Sequence, residues 1–168
     1  MAQSQGKAGS ERRMVDIVSA ETRSRMMSRI RARDTLPELT VRRYLHARGF
    51  RYRLDDRRLP GRPDIVLRKW KTVIFVHGCF WHGHPDCRFF RMPDMRRDFW
   101  STKIDANVAR DQRNMGLLLE SGWRVAVVWE CALRDELEGS MAQLDAFLLG
   151  SARAVEIRSE SQRPARIE

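Results

Sequence analysis

The amino-acid sequence predicts an α/β fold in which a central sheet of mixed strand direction is flanked by helices. Two β-branched, apolar runs at 72–76 and 124–129 are typical of buried strands. Apolar patterns at 101–121 and 133–149 have helical spacing. Because strands and helices alternate along the chain, we expect helices on both sides of the sheet.

Local signals define the elements that precede these runs. Thr35 and Glu38 have the spacing of a capping box, so a helix is expected to begin there. Gly49 is expected to end that helix. Residues 50–54 and 64–68 are expected to be two further strands, since both are rich in strand-forming residues.

Composition predicts one domain with two tails. A chain of 168 residues suits a single hydrophobic core, which we assign to residues 16–150. Residues 1–15 are small and polar, and this predicts a disordered N-terminal tail. The charged, aperiodic stretch at 151–168 predicts a flexible C-terminal tail.

The charge of the chain indicates a polyanionic partner. The formal net charge is +10, and arginine carries most of the excess. Arginine pairs with phosphate through two parallel hydrogen bonds, and neutralised phosphates release counterions. The basic segment 16–34 is therefore predicted to contact DNA, through Arg23, Arg25 and Arg29. The alternative is a solvated helix on a merely basic, soluble protein.

The sequence also predicts the cellular location of the protein. No apolar run approaches the roughly 18 residues that span a bilayer. The N-terminus lacks the apolar segment of a signal peptide, so a cytoplasmic, nucleoid-associated location is expected. Three cysteines, an odd number, do not suggest a secreted disulfide framework.

The cysteines are predicted to hold one structural zinc ion. Cys79, His84 and Cys87 lie in one loop, and Cys131, which follows the strand at 124–129, is the remaining cysteine. Three thiolates and one imidazole complete a closed tetrahedral shell, which leaves no position for a reacting water. The alternative is three free thiols and a surface histidine.

A second group of polar residues resembles a nuclease site. Asp64 opens one predicted strand, and His77 ends the neighbouring strand. A carboxylate and polar groups on paired strands are the layout of PD-(D/E)xK nucleases. The usual second carboxylate and lysine are missing, since positions 75 and 77 are phenylalanine and histidine.

Longer motifs resemble the very short patch repair endonuclease family, Vsr, over about residues 16 to 135. They are Thr22-Arg-Ser24, Arg33-Asp-Thr35, Leu59-Pro-Gly-Arg-Pro-Asp64, His77-Gly-Cys-Phe-Trp-His82, Asp98-Phe-Trp100, Gly122-Trp-Arg-Val125 and Val128-Trp-Glu-Cys-Ala-Leu-Arg134. The resemblance implies a restriction-endonuclease-like fold, Mg2+ and one structural zinc. It also implies a nickase that cuts 5′ of the thymine in a T·G mismatch left by deamination of 5-methylcytosine.

The resemblance implies roles for four residues around the reacting phosphate. Asp64 would be the Mg2+ carboxylate, and the backbone carbonyl of Val76 would be the second protein ligand. His82 would orient or deprotonate the attacking water, while His77 would lie beside the phosphate. If His82 ligated the zinc in place of His84, the general base would be unassigned.

Glu38 and Asp111 would act through bound waters or a histidine. Glu38 also has a purely structural explanation, as the capping-box partner at the start of its helix. Asp111 falls on the apolar stripe of the predicted helix at 101–121, so it needs a partner such as His82. Its structural alternative is a position at the edge of that stripe, paired with Arg110 or Arg113.

Three aromatic residues complete the predicted site. The resemblance implies that Phe80, Trp81 and Trp100 wedge into the DNA stack beside the mismatch, where unstacking costs least. Their structural alternative is core packing. Two other functions remain open: a related nuclease with another DNA target, and a non-catalytic protein that recognises damage. A monomer, with repair proteins as further partners, is expected.

Overall fold

A four-stranded mixed sheet is the centre of the computed structural model, which describes residues 33–159. The strands are β1 (Ile65–Leu67), β2 (Thr72–His77), β3 (Arg124–Trp129) and β4 (Ala154–Ile157), in that spatial order. β1 pairs with β2 antiparallel, whereas β2 with β3 and β3 with β4 are parallel. The predicted α/β class with a mixed sheet is therefore confirmed.

Four helices accompany the sheet in the described part of the chain: α1 (Leu36–Ala47), α2 (Arg97–Glu120), α3 (Glu130–Asp135) and α4 (Leu137–Leu149). A short 3-10 turn, Arg68–Trp70, joins β1 to β2. None of the described helices is both long enough and apolar enough to cross a membrane.

Alternating side chains of the strands form two apolar clusters. Ile74 and Val128 belong to a cluster that contains residues of α1 and α4, whereas Val73 and Val127 belong to a second one with Leu118 of α2. This alternation follows from the period of two along a strand. The second cluster also contains all three cysteines, so the cysteine loop is part of the core.

The predicted beginning and end of the first helix are confirmed. The Thr35 side chain accepts a hydrogen bond from the Glu38 backbone N–H, with a distance of 3.4 Å. The Glu38 carboxylate accepts from the backbone N–H of Asp34, at 2.9 Å, rather than from that of Thr35. Gly49 follows the helix with a φ of +82°, which glycine adopts without steric cost.

Three element predictions were wrong in part. Residues 50–54 contain only an isolated bridge between Arg53 and Val66, because the segment lies at the edge of a three-residue strand. The helix expected at 101–121 begins earlier, at Arg97. The helix expected at 133–149 is divided into α3 and α4, which meet at Glu136.

The largest correction concerns the predicted C-terminal tail. β4 lies inside 151–168 and pairs with β3, and its Ile157 is fully buried. The guanidinium of Arg124 donates to the carbonyls of Phe147, Leu148 (3.2 Å) and Ala152 (2.9 Å), which fixes the connection from α4 to β4. Pairing with β3, rather than a long local pattern, makes this segment of four residues a strand.

Several predictions fall outside the described residues. They concern the disordered tail at 1–15 and the DNA contacts of Arg23, Arg25 and Arg29. They stay predictions.

Candidate active site and metal centre

The pairing of β1 with β2 brings Asp64 beside the end of β2. Asp64 directly precedes β1, and its Oδ2 accepts a hydrogen bond from the Val76 backbone N–H at 2.7 Å. Val76 and His77 are the last two residues of β2. The strand register thus places a carboxylate, a backbone peptide and an imidazole at one edge of the sheet.

The environment of Asp64 disfavours its negative charge. Burial raises its pKa to about 6, the Val76 N–H opposes this shift, and the charge of Glu38 adds to it. Ionisation of Asp64 at neutral pH therefore costs free energy in this site. Glu38 is itself only 7% exposed. Its carboxylate is paired with Arg42, at 3.1 Å. The oxygen donors of Asp64 suit a hard divalent cation such as Mg2+.

Two histidines, one at the end of β2 and one in the loop after it, lie face to face, and the charge of His82 acts on Asp64. The rings of His77 and His82 stack with their centroids 3.7 Å apart and their planes at 6°. His82 Nδ1 lies 2.6 Å from Asp111 Oδ2, on α2. Donor atoms of His77, His82 and Asp111 lie within 4.8 Å of one another. Two of the partners considered for Asp111 are therefore present: His82, and Arg110, whose Nη2 lies 3.8 Å from Asp111 Oδ1.

Burial and hydrogen bonding set the charges of these groups. Burial lowers the pKa of His77 to about 3, assisted by the charge of His82, so His77 is neutral at physiological pH. Burial raises the pKa of Asp111, but the hydrogen bond and the charge of His82 lower it by more. The pKa of this carboxyl is therefore below its usual value. Asp111 therefore remains an anion that holds His82 through Nδ1.

Four residues form a second group, which we call the cysteine–histidine cluster: Cys79, His84, Cys87 and Cys131. All four are buried, and their ligand atoms lie within 4.8 Å of one another. The sequence-predicted ligand set is therefore brought together, although its members come from a loop and from α3. This cluster can hold a metal ion such as zinc.

The donor atoms of this cluster fit a soft metal ion. His84 Nε2 is buried without a hydrogen-bond partner among the described residues, and Nδ1 lies 3.4 Å from Cys131 Sγ. Hydrogen bonding between Cys79 and Cys131 lowers the pKa of the Cys131 thiol and raises that of Cys79. A bound cation would compensate a thiolate that lies beside an imidazole without a hydrogen-bond partner.

The two histidines of the loop after β2 belong to different sites. His82 contacts Asp111, whereas His84 joins the cysteines, and Gly83 separates them with a φ of +60°. A Cβ at Gly83 would lie 2.8 Å from a methyl group of Ile104, so only glycine fits here. The geometry thus agrees with His84, and not His82, as the member of the cluster.

Three aromatic rings lie together beside this loop. Two of them belong to the loop, Phe80 and Trp81, and the third is Trp100 of α2. Ring centroids are 5.1 Å apart for Phe80 and Trp81, 5.5 Å for Phe80 and Trp100, and 6.1 Å for Trp81 and Trp100. Each ring is partly exposed. Half-buried aromatic rings grouped in this way form a candidate interaction surface.

Sequence reasoning missed two neighbours of this aromatic group and one ring inside the site. Phe99 is 46% exposed and stacks edge-on against Trp100, and Lys103 Nζ lies 5.6 Å from the Trp100 centroid. The spacing of Phe99 and Lys103, four residues apart on one helix, was the available signal. Trp129 stacks on His84, a contact between residues far apart in the chain that no local spacing indicates.

A half-buried carboxylate and an aspartate-held histidine at the edge of an α/β sheet, beside a cluster that can hold zinc, are typical of a metal-assisted hydrolase. Comparison with known proteins identifies the class. Residues 15–88 match the family model described as DNA mismatch endonuclease Vsr. The chain belongs to this family, and it is a DNA endonuclease, a hydrolase that acts on DNA. The non-catalytic alternative is thereby excluded.

Three relatives illustrate the similarity. The chain is 52% identical to the Type II nicking enzyme V.XorIIP of Xanthomonas oryzae pv. oryzae, over 73% of this chain and 89% of the relative. It is 47% identical to the Type II nicking enzyme V.NmeAIP of Neisseria meningitidis, over 73% and 87%. It is 42% identical to the DNA mismatch endonuclease Vsr of Escherichia coli, over 88% and 96%.

Proposed function

We propose that this endonuclease nicks one DNA strand 5′ of the thymine in a T·G mismatch that arises from deamination of 5-methylcytosine. One observation carries the proposal: a single loop supplies both His82, which contacts Asp111 and whose charge acts on Asp64, and the aromatic pair Phe80 and Trp81. A base step that is opened by these rings would therefore lie next to the phosphate to be cut.

Asp64 and the backbone carbonyl of Val76 would hold Mg2+. The hydrogen bond from the Val76 N–H occupies only one side of Asp64 Oδ2, so the carboxylate keeps lone pairs for a cation. When bound, Mg2+ polarises the phosphate and lowers the pKa of the attacking water. Glu38, whose charge raises the pKa of Asp64, would strengthen the attraction of this site for a cation.

His82 would accept the proton of the attacking water. The Asp111 carboxylate is 2.6 Å from Nδ1, which favours the tautomer that carries its proton on Nδ1. Nε2 is then left with its lone pair as the acceptor. Asp111 would also stabilise the imidazolium that forms when the proton arrives.

His77 would donate a hydrogen bond to the phosphate as negative charge develops there. Its lowered pKa, about 3, keeps the ring neutral, so one ring nitrogen carries a proton and can donate. Stacking against His82 fixes the direction of that N–H. A neutral donor at this position would stabilise the developing negative charge without adding a positive charge that repels the cation.

The cysteine–histidine cluster would hold zinc as a structural ion. Its four buried ligands leave no open position, so the zinc would stabilise the loop without touching DNA. The loop carries His82 and Trp81, and its geometry would therefore depend on the metal.

The aromatic group and the arginines would bind DNA. Phe80, Trp81 and Trp100 would enter the stack at the mismatch, while Arg23, Arg25 and Arg29 would contact phosphates. The protein would act as a monomer, because a T·G mismatch has no two-fold symmetry for a dimer to match.

Replacement of Trp81 by alanine is expected to reduce discrimination between T·G and T·A duplexes about tenfold, with a smaller loss of overall DNA affinity. Unstacking costs a few kcal/mol per step, and less at a mismatch, so a wedge favours the mismatch. Nicking rates and binding constants on the two duplexes measure both effects. Trp70→Ala, at an exposed tryptophan outside the site, is the control. Equal losses on both duplexes would indicate that Trp81 serves packing.

A related nicking enzyme with another DNA target is the second candidate. Two of the relatives described above are named Type II nicking enzymes, and this name supports nicking without specifying a T·G mismatch as the target.

A nicking assay distinguishes the two candidates. Duplexes with one T·G mismatch in several flanking sequences, the fully paired duplexes and the Asp111→Asn protein are compared in the presence of Mg2+. We expect one nick 5′ of the mismatched thymine, none on paired DNA, and a rate about a hundredfold lower for the variant. Cutting of paired duplexes at the same rate would favour the second candidate.

A further inference from the structure

Trp129 lies between His77 and the cysteine–histidine cluster. Its ring stacks on His84 at 4.0 Å and 9°, and it meets His77 edge-on at 5.3 Å and 76°. The residue is 6% exposed, and its backbone pairs with that of His77 in the parallel sheet. A single indole therefore contacts one candidate zinc ligand and one candidate catalytic imidazole.

The orientation of this indole is set from the C-terminal strand. Trp129 Nε1 donates to Glu156 Oε1, with a distance of 2.6 Å. Glu156 is on β4, opposite Val127 of β3. A hydrogen bond to a charged acceptor is about twice as strong as one between neutral groups, so this contact restricts rotation of the ring.

A second contact from the same end of the chain reaches the cluster. After the hydrogen bond from Cys79 and burial, the backbone N–H of Ser159, two residues after β4, is a further group that acts on the Cys131 thiol, and it lowers the pKa of this thiol. Hydrogen bonds of this kind, from groups that do not ligate the metal, orient the ligands and adjust their affinity. β4 and the residues after it therefore support the cluster at Cys131 directly and at His84 through Trp129.

We infer that Glu156 is a positioning residue of this endonuclease: through Trp129 it aligns His84 for zinc and His77 for the phosphate. The inference rests on the proposed function, since it takes the cluster as a zinc site and His77 as a catalytic group. It assigns a role to β4 that is additional to completion of the sheet. If the indole tilts, the imidazoles packed against its face and its edge must shift with it, because protein interiors are close-packed.

The test uses two substitutions at one position in the full-length, zinc-loaded protein. Glu156→Met keeps the length of the side chain and removes the acceptor, whereas Glu156→Gln keeps an acceptor oxygen. Glu138→Met, at an exposed glutamate of α4, is the matched control. The readouts are the rate of zinc release to a chromogenic chelator, the single-turnover nicking rate, the DNA dissociation constant and the melting temperature.

We expect Glu156→Met to release zinc about three- to tenfold faster and to nick more slowly by a similar factor. DNA affinity should stay within about twofold, because Glu156 does not contact DNA in this scheme. Glu156→Gln should restore both rates to within about twofold of the wild type. A purely structural role would lower the melting temperature of both variants without this difference between them.

Trp129→Phe shows whether the effect passes through the indole. This variant removes the N–H donor, so adding Glu156→Met to it should change zinc release by less than about twofold. Full additivity of the two substitutions would overturn the inference, as would wild-type rates in Glu156→Met. A wild type that neither holds zinc nor nicks the T·G duplex would overturn the proposed function and the inference together.

Discussion

Asp64→Asn is expected to abolish nicking and, at the same time, to stabilise the Mg2+-free protein. The rate should fall about a thousandfold or more, because the carboxylate that would hold the cation is lost. The free energy of unfolding at about pH 8 should rise by about 1–3 kcal/mol. Asparagine keeps an acceptor for the Val76 N–H, so the fold keeps that hydrogen bond.

The stabilisation follows from the raised pKa of Asp64, about 6 in the folded state. An unfolded aspartate ionises near pH 4, so the folded protein binds this proton more tightly than the unfolded chain does. The cost to stability is absent below the unfolded pKa, grows between about pH 4 and 6, and is fully present above the folded pKa. Asparagine, which is neutral, removes that cost.

Urea unfolding of both proteins at about pH 5 and pH 8, without Mg2+, measures this difference. The gap between variant and wild type should be larger at the higher pH. Asp94→Asn, at an exposed aspartate, is the control and should change neither rate nor stability. A variant that is less stable than the wild type at both pH values would contradict the assignment of Asp64 as a strained functional carboxylate.

Cys131→Ala is expected to lose bound zinc and to unfold at a much lower temperature. Structural zinc contributes roughly 10 kcal/mol or more to the folding of small metal-binding domains. Removal of one of four buried ligands should cost at least about 3 kcal/mol, or roughly 10 °C in melting temperature. Elemental analysis of the purified protein and thermal unfolding measure the two effects.

Val127→Ala separates loss of the metal from loss of packing. Val127 belongs to the same apolar cluster as Cys131 and offers no ligand atom. This variant should lower the melting temperature by a smaller amount and should keep one equivalent of zinc. A wild type that is fully stable and free of metal would contradict the zinc proposal.

The sequence alone predicted those parts of the fold that depend on local patterns. β2 and β3 are β-branched runs that fill a buried sheet from both faces, and the start of α1 follows from the side chain of Thr35. The four members of the cysteine–histidine cluster were also found from the sequence, because every cysteine was accounted for in one ligand set.

Other parts of the site depend on contacts between residues far apart in the chain. The turn at Gly83, which packs against α2, places His82 beside Asp111 and His84 in the cysteine–histidine cluster. The sequence allows several partners for Asp111, and the fold brings His82 to it at 2.6 Å. Spacing along the chain restricts such pairs but does not select among them.

The sequence by itself thus determined the class of fold, the cysteine–histidine ligand set and the residues available for chemistry at the end of β2. Only the tertiary structure decided that residues 154–157 form a strand and that Glu156 reaches Trp129 between the two sites. The physical reason is that different neighbours supply the stabilising free energy of these two groups of features. Caps and buried β-branched runs are stabilised by near neighbours, whereas an edge strand and an indole hydrogen bond are stabilised by partners that the folded sheet brings together.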